Sequence, residues 1–137
     1  KRWKMKYIKI ENKSENKTAD NSKILKAYKD EVNKFARKIE TDEISVAEYF
    51  LYDIDHDGII ELIIKGGTCE ADYAYTIYTY SNQLVEIGKT PASHSALEVD
   101  PDGVGIYRNT AHIGAQHIER LIIDDYEIKE EKVMEST

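Results

Sequence analysis

The sequence predicts an α+β domain in which one N-terminal amphipathic helix packs on a curved antiparallel β-meander of about seven to eight strands. Three observations lead there. A stretch near residues 21–39 carries apolar residues at helical spacing. After Asp42 the chain changes to short β-branched and aromatic runs separated by turn residues. The connections between those runs are short, so successive strands pair with their neighbours as antiparallel hairpins.

The helix is read from Ile24, Leu25, Tyr28, Val32, Phe35, Ala36 and Ile39, which fall on one side at 3.6 residues per turn. Asp20, Asn21 and Ser22 are candidate N-caps, because their side chains can accept a hydrogen bond from an unsatisfied first-turn N–H. Residues 1–19 differ in character. They are rich in Lys, Glu and Asn and resemble a basic polar tail or linker in composition, which leaves residues 20–137 as a single domain. Asn12-Lys13-Ser14 and Asn16-Lys17-Thr18 satisfy the glycosylation pattern, but a linker explains the same composition more simply. The chain begins at Lys1 and is read as a processed or trimmed product, with a membrane anchor conceivable in the full-length precursor.

Strands are expected near 46–53, 59–65, 72–81, 84–90, 94–99, 104–111, 116–124 and 127–134. Ser81-Asn82-Gln83, Asp100-Pro101-Asp102-Gly103 and Asp124-Asp125 supply hairpin turns between them. The helix should cover one face or one end of the resulting sheet.

A chain of 137 residues with 41% hydrophobic content suffices for one core. The net charge of −7 conceals an asymmetry. Residues 1–40 hold 13 Lys/Arg against 6 Asp/Glu, whereas residues 41–137 hold 6 against 20. The body is therefore strongly acidic, which excludes nucleic acid as its partner and favours cations. No run approaches the roughly 18 apolar residues of a transmembrane segment, and no apolar signal-peptide core is present. The single Cys69 cannot form an intramolecular disulfide and is expected as a small buried thiol.

The chemistry concentrates in Asp53-Ile54-Asp55-His56-Asp57-Gly58-Ile59-Ile60-Glu61. Carboxylates at alternate positions of a curling loop can surround a hard cation with oxygen. The expected ligands are the side chains of Asp53, Asp55, Asp57 and Glu61 and the backbone carbonyl of Ile59, with calcium as the cofactor. Gly58 permits the reversal of the chain. An EF-hand shares the first, third, fifth and sixth positions but closes with Glu at the twelfth. Here the twelfth position is Ile64, inside an apolar run. Both flanks, Tyr49-Phe50-Leu51-Tyr52 and Ile59 to Ile64, have strand composition, so the loop joins two strands rather than two helices.

A strand, an Asp-x-Asp-x-Asp-Gly-x-x-Asp/Glu loop and an apolar strand resemble the calcium hairpins of FG-GAP repeats in integrin-type β-propellers. The resemblance implies that the ninth loop position, Glu61, closes the cation shell. The segment Tyr49 to Lys65 is also similar to one in secreted or lipid-anchored proteins of Gram-positive bacteria, where one such hairpin follows a helix and precedes a Tyr-rich sheet. The likeness covers about seventeen residues. The motif occurs once, without the repeats that a propeller requires.

Ten Tyr stand against two Phe and one Trp. Tyr73 and Tyr75 alternate with Tyr78 and Tyr80 across the two faces of one expected strand, so one pair should lie off the main core as a possible ligand-binding face. His94, His112 and His117 lie near turns, where neighbouring strands could bring two of them together. The resulting expectation is a non-enzymatic, calcium-stabilised extracytoplasmic domain that binds a cell-surface glycan or protein. Two rivals remain open: a hydrolase or metalloenzyme built on Cys69, Glu70, His94 and His112, and a scaffold or immunity-type partner protein.

Overall fold

A computed structural model describes residues 3–5, 8–9 and 22–136. Its elements are β1 (Trp3–Lys4), β2 (Ile8–Lys9), α1 (Ser22–Glu40), β3 (Val46–Tyr52), β4 (Glu61–Gly67), β5 (Ala74–Tyr80), β6 (Leu84–Pro91), β7 (Ser95–Val99), β8 (Ile106–His112), β9 (Ala115–Asp124) and β10 (Glu127–Ser136). Every strand pair is antiparallel. The fold is α+β as the sequence predicts, with α1 and all eight strands after it where apolar periodicity puts them. Within the stretch read as a tail, β1 pairs with β7 and β2 with β3. Residues 10–21, with the Asn12 and Asn16 patterns, lie outside the described residues.

The meander divides into two five-stranded sheets, ordered β1-β7-β8-β9-β10 and β2-β3-β4-β5-β6. Pro91 ends β6, and after it the chain passes to the other sheet. Proline cannot donate to a ladder. The molecule thus has three layers: helix, inner sheet and outer sheet. Between the sheets lies a core of Phe50, Ile54, Ile63, Tyr75, Ile77, Ile87, Ala92, Leu97, Ile106 and Leu121. Between α1 and the inner sheet lies a second core of Tyr28, Val32, Leu62, Ile64 and Tyr78.

Strand alternation assigns each inner-sheet residue to one core or the other. On β4, Leu62 and Ile64 face the helix while Ile63 faces the outer sheet. Two close contacts fasten the layers. A Cβ on Gly88 of β6 would lie 2.7 Å from Ile128 of β10, so only glycine allows that approach. Arg108 of β8, mostly buried, bonds Thr90 of β6 and reaches Glu119 at 3.1 Å and Glu130 at 2.7 Å.

Covering both faces of the inner sheet changes the tyrosine expectation. Tyr75 is 1% and Tyr78 5% exposed, in the two different cores. Tyr73 and Tyr80 are partly buried against the same cores. The two pairs do occupy opposite faces, but neither forms an open platform, because the helix covers one face and the outer sheet the other. The expectation of a buried thiol also fails: Cys69 is exposed. It sits just before a short 3-10 turn, Glu70–Asp72, where the Asp72 carboxylate accepts the N–H groups of Thr68 at 2.7 Å and Cys69 at 3.0 Å.

Candidate metal centre

The loop between β3 and β4 brings the four carboxylates of Asp53, Asp55, Asp57 and Glu61 together. One oxygen from each lies within 4.8 Å of the others. The local fold follows from hydrogen bonds that those same side chains accept. Asp53 Oδ1 receives the Asp57 N–H at 3.2 Å, and its Oδ2 receives that of Gly58 at 2.8 Å. Asp57 Oδ1 receives the Ile59 N–H at 2.8 Å. An Asp side chain that caps nearby amides in this way bends the chain into a tight turn. The reversal needs left-handed backbone at Gly58, whose φ is +93°.

The loop is also held from outside. Ile54, fully buried, anchors it in the inter-sheet core, and its carbonyl accepts the Gly105 N–H at 2.8 Å. The Tyr28 hydroxyl of α1 donates to the Ile60 carbonyl at 2.5 Å. Glu61 begins β4 with no exposed surface. Its Oε1 accepts the Ile54 N–H at 2.7 Å and its Oε2 accepts the Thr79 hydroxyl at 2.9 Å. Tyr28 and Thr79 were not identifiable from the loop motif, since they lie 32 and 18 residues from the groups they hold. Thr79 could have been found from strand register, on the inward row of β5 next to β4.

The electrostatics are those of a site built for positive charge. Burial pushes the Glu61 carboxyl up to about 8 against the hydrogen bonds from Ile54 and Thr79, and Asp55 and Asp57 add repulsion. Asp55 rises to about 6, through burial first and then the neighbouring Asp57. Asp55 Oδ1 is a buried oxygen with no hydrogen-bond partner. Buried acceptors are normally satisfied, so this atom lacks the positive partner that a cation would supply. The residues present therefore fit a metal ion. All four are hard oxygen donors, the kind preferred by calcium, magnesium and manganese rather than by thiophilic metals.

Beside the loop runs an open cleft of about 230 Å³, lined among others by Asp55, Asp57, Thr79, Tyr80, Asp125 and Tyr126. Of the four tyrosines singled out from sequence, Tyr80 alone lies here. It is joined by Tyr126, which the β9–β10 turn presents with a φ of +60°. Asp102 stands apart from the carboxylate cluster. Asp100 Oδ1 accepts the Asp102 N–H at 2.9 Å and the Asp100 carbonyl accepts the Gly103 N–H at 2.9 Å, which makes Asp100–Gly103 a plain turn.

The rival set converges in part. The His94 and His112 rings stack with centroids 3.9 Å apart, and His94 Nδ1 lies 3.8 Å from Glu70 Oε1. These groups are at the surface, and stacked rings do not aim their nitrogens at a common ion. Among the described residues, only the cluster Asp53, Asp55, Asp57 and Glu61 gathers three or more such ligands. His117 is elsewhere, 3.7 Å from Glu135. No described helix is long and apolar enough to cross a membrane.

Comparison with protein-family models, with curated proteins and with solved structures found no match to this chain. The resemblance to FG-GAP hairpins therefore rests on the residues of the loop.

Proposed function

We propose that this domain holds a calcium ion in the loop Asp53–Glu61, and that the ion acts structurally in an extracytoplasmic, non-enzymatic binding module. The observation that carries the metal is the buried, unsatisfied oxygen of Asp55 beside the fully buried carboxylate of Glu61. Calcium is preferred on ligand number and type. The four carboxylates, each with an oxygen within 4.8 Å of the others, gather more protein oxygens than magnesium usually takes, since magnesium keeps several waters and is commonly held by one or two carboxylates. The Ile59 carbonyl is the fifth expected ligand.

The ion would offset two of the four carboxylate charges and lock β3 to β4, whose pairing runs from Tyr52↔Glu61 to Val46↔Gly67. At about 2 mM free calcium and an assumed dissociation constant of about 0.1 mM, linkage contributes roughly 1.8 kcal/mol. Such concentrations are found outside the cytoplasm, which favours that location. The cleft with Tyr80 and Tyr126 on its walls supports a glycan or protein ligand next to the loop, since tyrosine combines an apolar ring with a hydrogen-bonding tip.

Thermal unfolding of chelator-treated protein tests the metal assignment. Calcium in the millimolar range should raise the melting temperature, magnesium should do so much less, and Asp57→Ala should remove the response. A melting temperature indifferent to calcium and chelator, with no ion at the loop in calcium-soaked crystals, would sink the proposal.

A further inference from the structure

Calcium takes roughly six to eight oxygens, and the loop offers one from each of its four carboxylates and one from the Ile59 carbonyl. With each carboxylate giving a single oxygen, about one to three positions stay unfilled by the chain. The packing of the loop sets the side on which they open. Glu61 has no exposed surface, and its two oxygens accept bonds from Ile54 and Thr79, so it closes the site toward the core. Asp55, Asp57 and Ile59 line the cleft of about 230 Å³. Asp55 also carries the buried oxygen that has no partner. The unfilled positions therefore face the cleft.

The opposite wall comes from the β9–β10 hairpin, where Asp125 and Tyr126 form the whole turn between the paired Asp124 and Glu127. Their φ values of +52° and +60° are those of a type I′ turn, whose second central position ordinarily takes glycine. A large side chain there works against its own backbone. Tyr126 is nevertheless 55% exposed, so core burial does not offset that cost. Its hydroxyl donates to Ser81 Oγ, 3.3 Å away in the β5–β6 turn, which fixes the ring at the edge of the cleft.

We propose that the cleft binds one neutral sugar ring, with two hydroxyls on neighbouring carbons filling the open positions of the calcium and the ring's C–H face lying on Tyr126. This rests on the calcium reading of the loop. Charge selects a neutral ligand: a divalent ion leaves two of the four carboxylate charges uncompensated, and Asp125 adds another to the lining, so an anion is repelled. Size selects a single ring, since the cleft is smaller than the roughly 300–1,000 Å³ of drug-sized pockets. Tyrosine supplies an apolar stacking face with a polar tip.

The test titrates methyl galactoside, methyl mannoside and methyl glucoside, which together offer cis and trans neighbouring hydroxyls, into the intact chain with calcium and with chelator. Calorimetry and amide NMR follow binding. At least one glycoside should bind saturably with calcium alone, shifting the Asp57, Asp125 and Tyr126 resonances, and its uronic acid should bind roughly tenfold more weakly. With terbium in place of calcium, luminescence lifetimes in light and heavy water count the waters on the ion, and the glycoside should displace about two. Tyr126→Gly suits the turn better than the parent residue, so it should keep the melting temperature and the calcium response while losing about tenfold in sugar affinity. A calcium-raised melting temperature with no glycoside bound up to about 30 mM would overturn this proposal and leave the metal assignment standing; no response to calcium would overturn both. Sugar binding that persists in chelator, displaces no water, favours the uronic acid or survives Tyr126→Gly undiminished would each overturn it as well.

Discussion

Replacing Glu61 by Gln should stabilise the metal-free protein at alkaline pH and weaken its response to calcium, two effects of opposite sign from one substitution. In the absence of metal, Glu61 is held near 8 from an ordinary 4.5. The folded protein therefore keeps a proton that the unfolded chain has released, and stability falls as pH rises between those values. Asp55, raised from 3.8 to about 6, adds to the fall in the lower part of that window. At about 1.4 kcal/mol per pH decade, the cost of ionising buried Glu61 reaches about 3–5 kcal/mol at pH 8.

Glutamine carries no such cost and can keep both hydrogen bonds. Its carbonyl can accept the Ile54 N–H and its amide can donate to the Thr79 hydroxyl, in the positions where Glu61 now makes contacts of 2.7 and 2.9 Å. Without metal, the variant and the parent should melt together near pH 4.5. At pH 8 the variant should melt about 9–25 °C higher, at about 3–5 °C per kcal/mol for a chain of this size. The decline from Asp55 below pH 6 should persist in both. Calorimetry across pH 4.5–8 in chelator, repeated with calcium, reads all of these. A metal-free variant less stable than its parent at pH 8, or a parent flat between pH 5 and 8, would refute the reasoning.

Tyr78→Ala should cost about 3–5 kcal/mol in urea unfolding, since Tyr78 is 5% exposed in the helix-facing core and its hydroxyl donates to Glu31 at 2.9 Å. Arg108→Met should destabilise by about 3–5 kcal/mol, because it strips the partner from Glu119, Glu130 and Thr90 at the junction of the two sheets. The same denaturant curves measure it, and a loss below about 1 kcal/mol, the level of a surface ion pair, would count against a shared tether.

Periodicity made the elements legible and left their layering hidden. The helical stripe from Ile24 to Ile39 and the β-branched runs after Asp42 reveal α1 and each later strand, because amphipathic period and turn chemistry are local properties. The division into two sheets is not local. Alternation shows that a strand has an inside and an outside, yet cannot say whether another layer covers the outside. Two signals did exist. Leu62-Ile63-Ile64 of β4 is continuously apolar, the composition of a strand buried on both faces, and Pro91 marks the point where the ladder must stop. Reading them together would have put Tyr75 and Tyr78 inside, with Tyr73 and Tyr80 at the margins of the same cores. The loop was legible because alternate carboxylates encode their own geometry. The pairing of Glu48 with Lys65 was not, since the two become neighbours only through strand register.

The hydrogen bonds of the loop separate the carboxylates that shape it from Asp55, whose buried Oδ1 has no partner. Asp53 accepts two backbone N–H groups, Asp57 one, and Glu61 one backbone N–H and one hydroxyl. Each therefore has work in the metal-free fold. Asp55 Oδ1 accepts nothing, and its ionised form is resisted by burial and by Asp57. Asp53→Ala should accordingly cost about 1–2 kcal/mol even in chelator, because it orphans the Asp57 and Gly58 amides, and it should also lose the calcium response. Asp55→Ala should leave the metal-free protein as stable as the parent or more so at pH 7.5, while removing the calcium response as completely. Measured side by side with and without chelator, the two variants should differ only in the metal-free arm. Asp55→Ala as damaging in chelator as Asp53→Ala would make Asp55 one more strut of the loop, and the oxygen that argues most directly for a cation would lose its meaning.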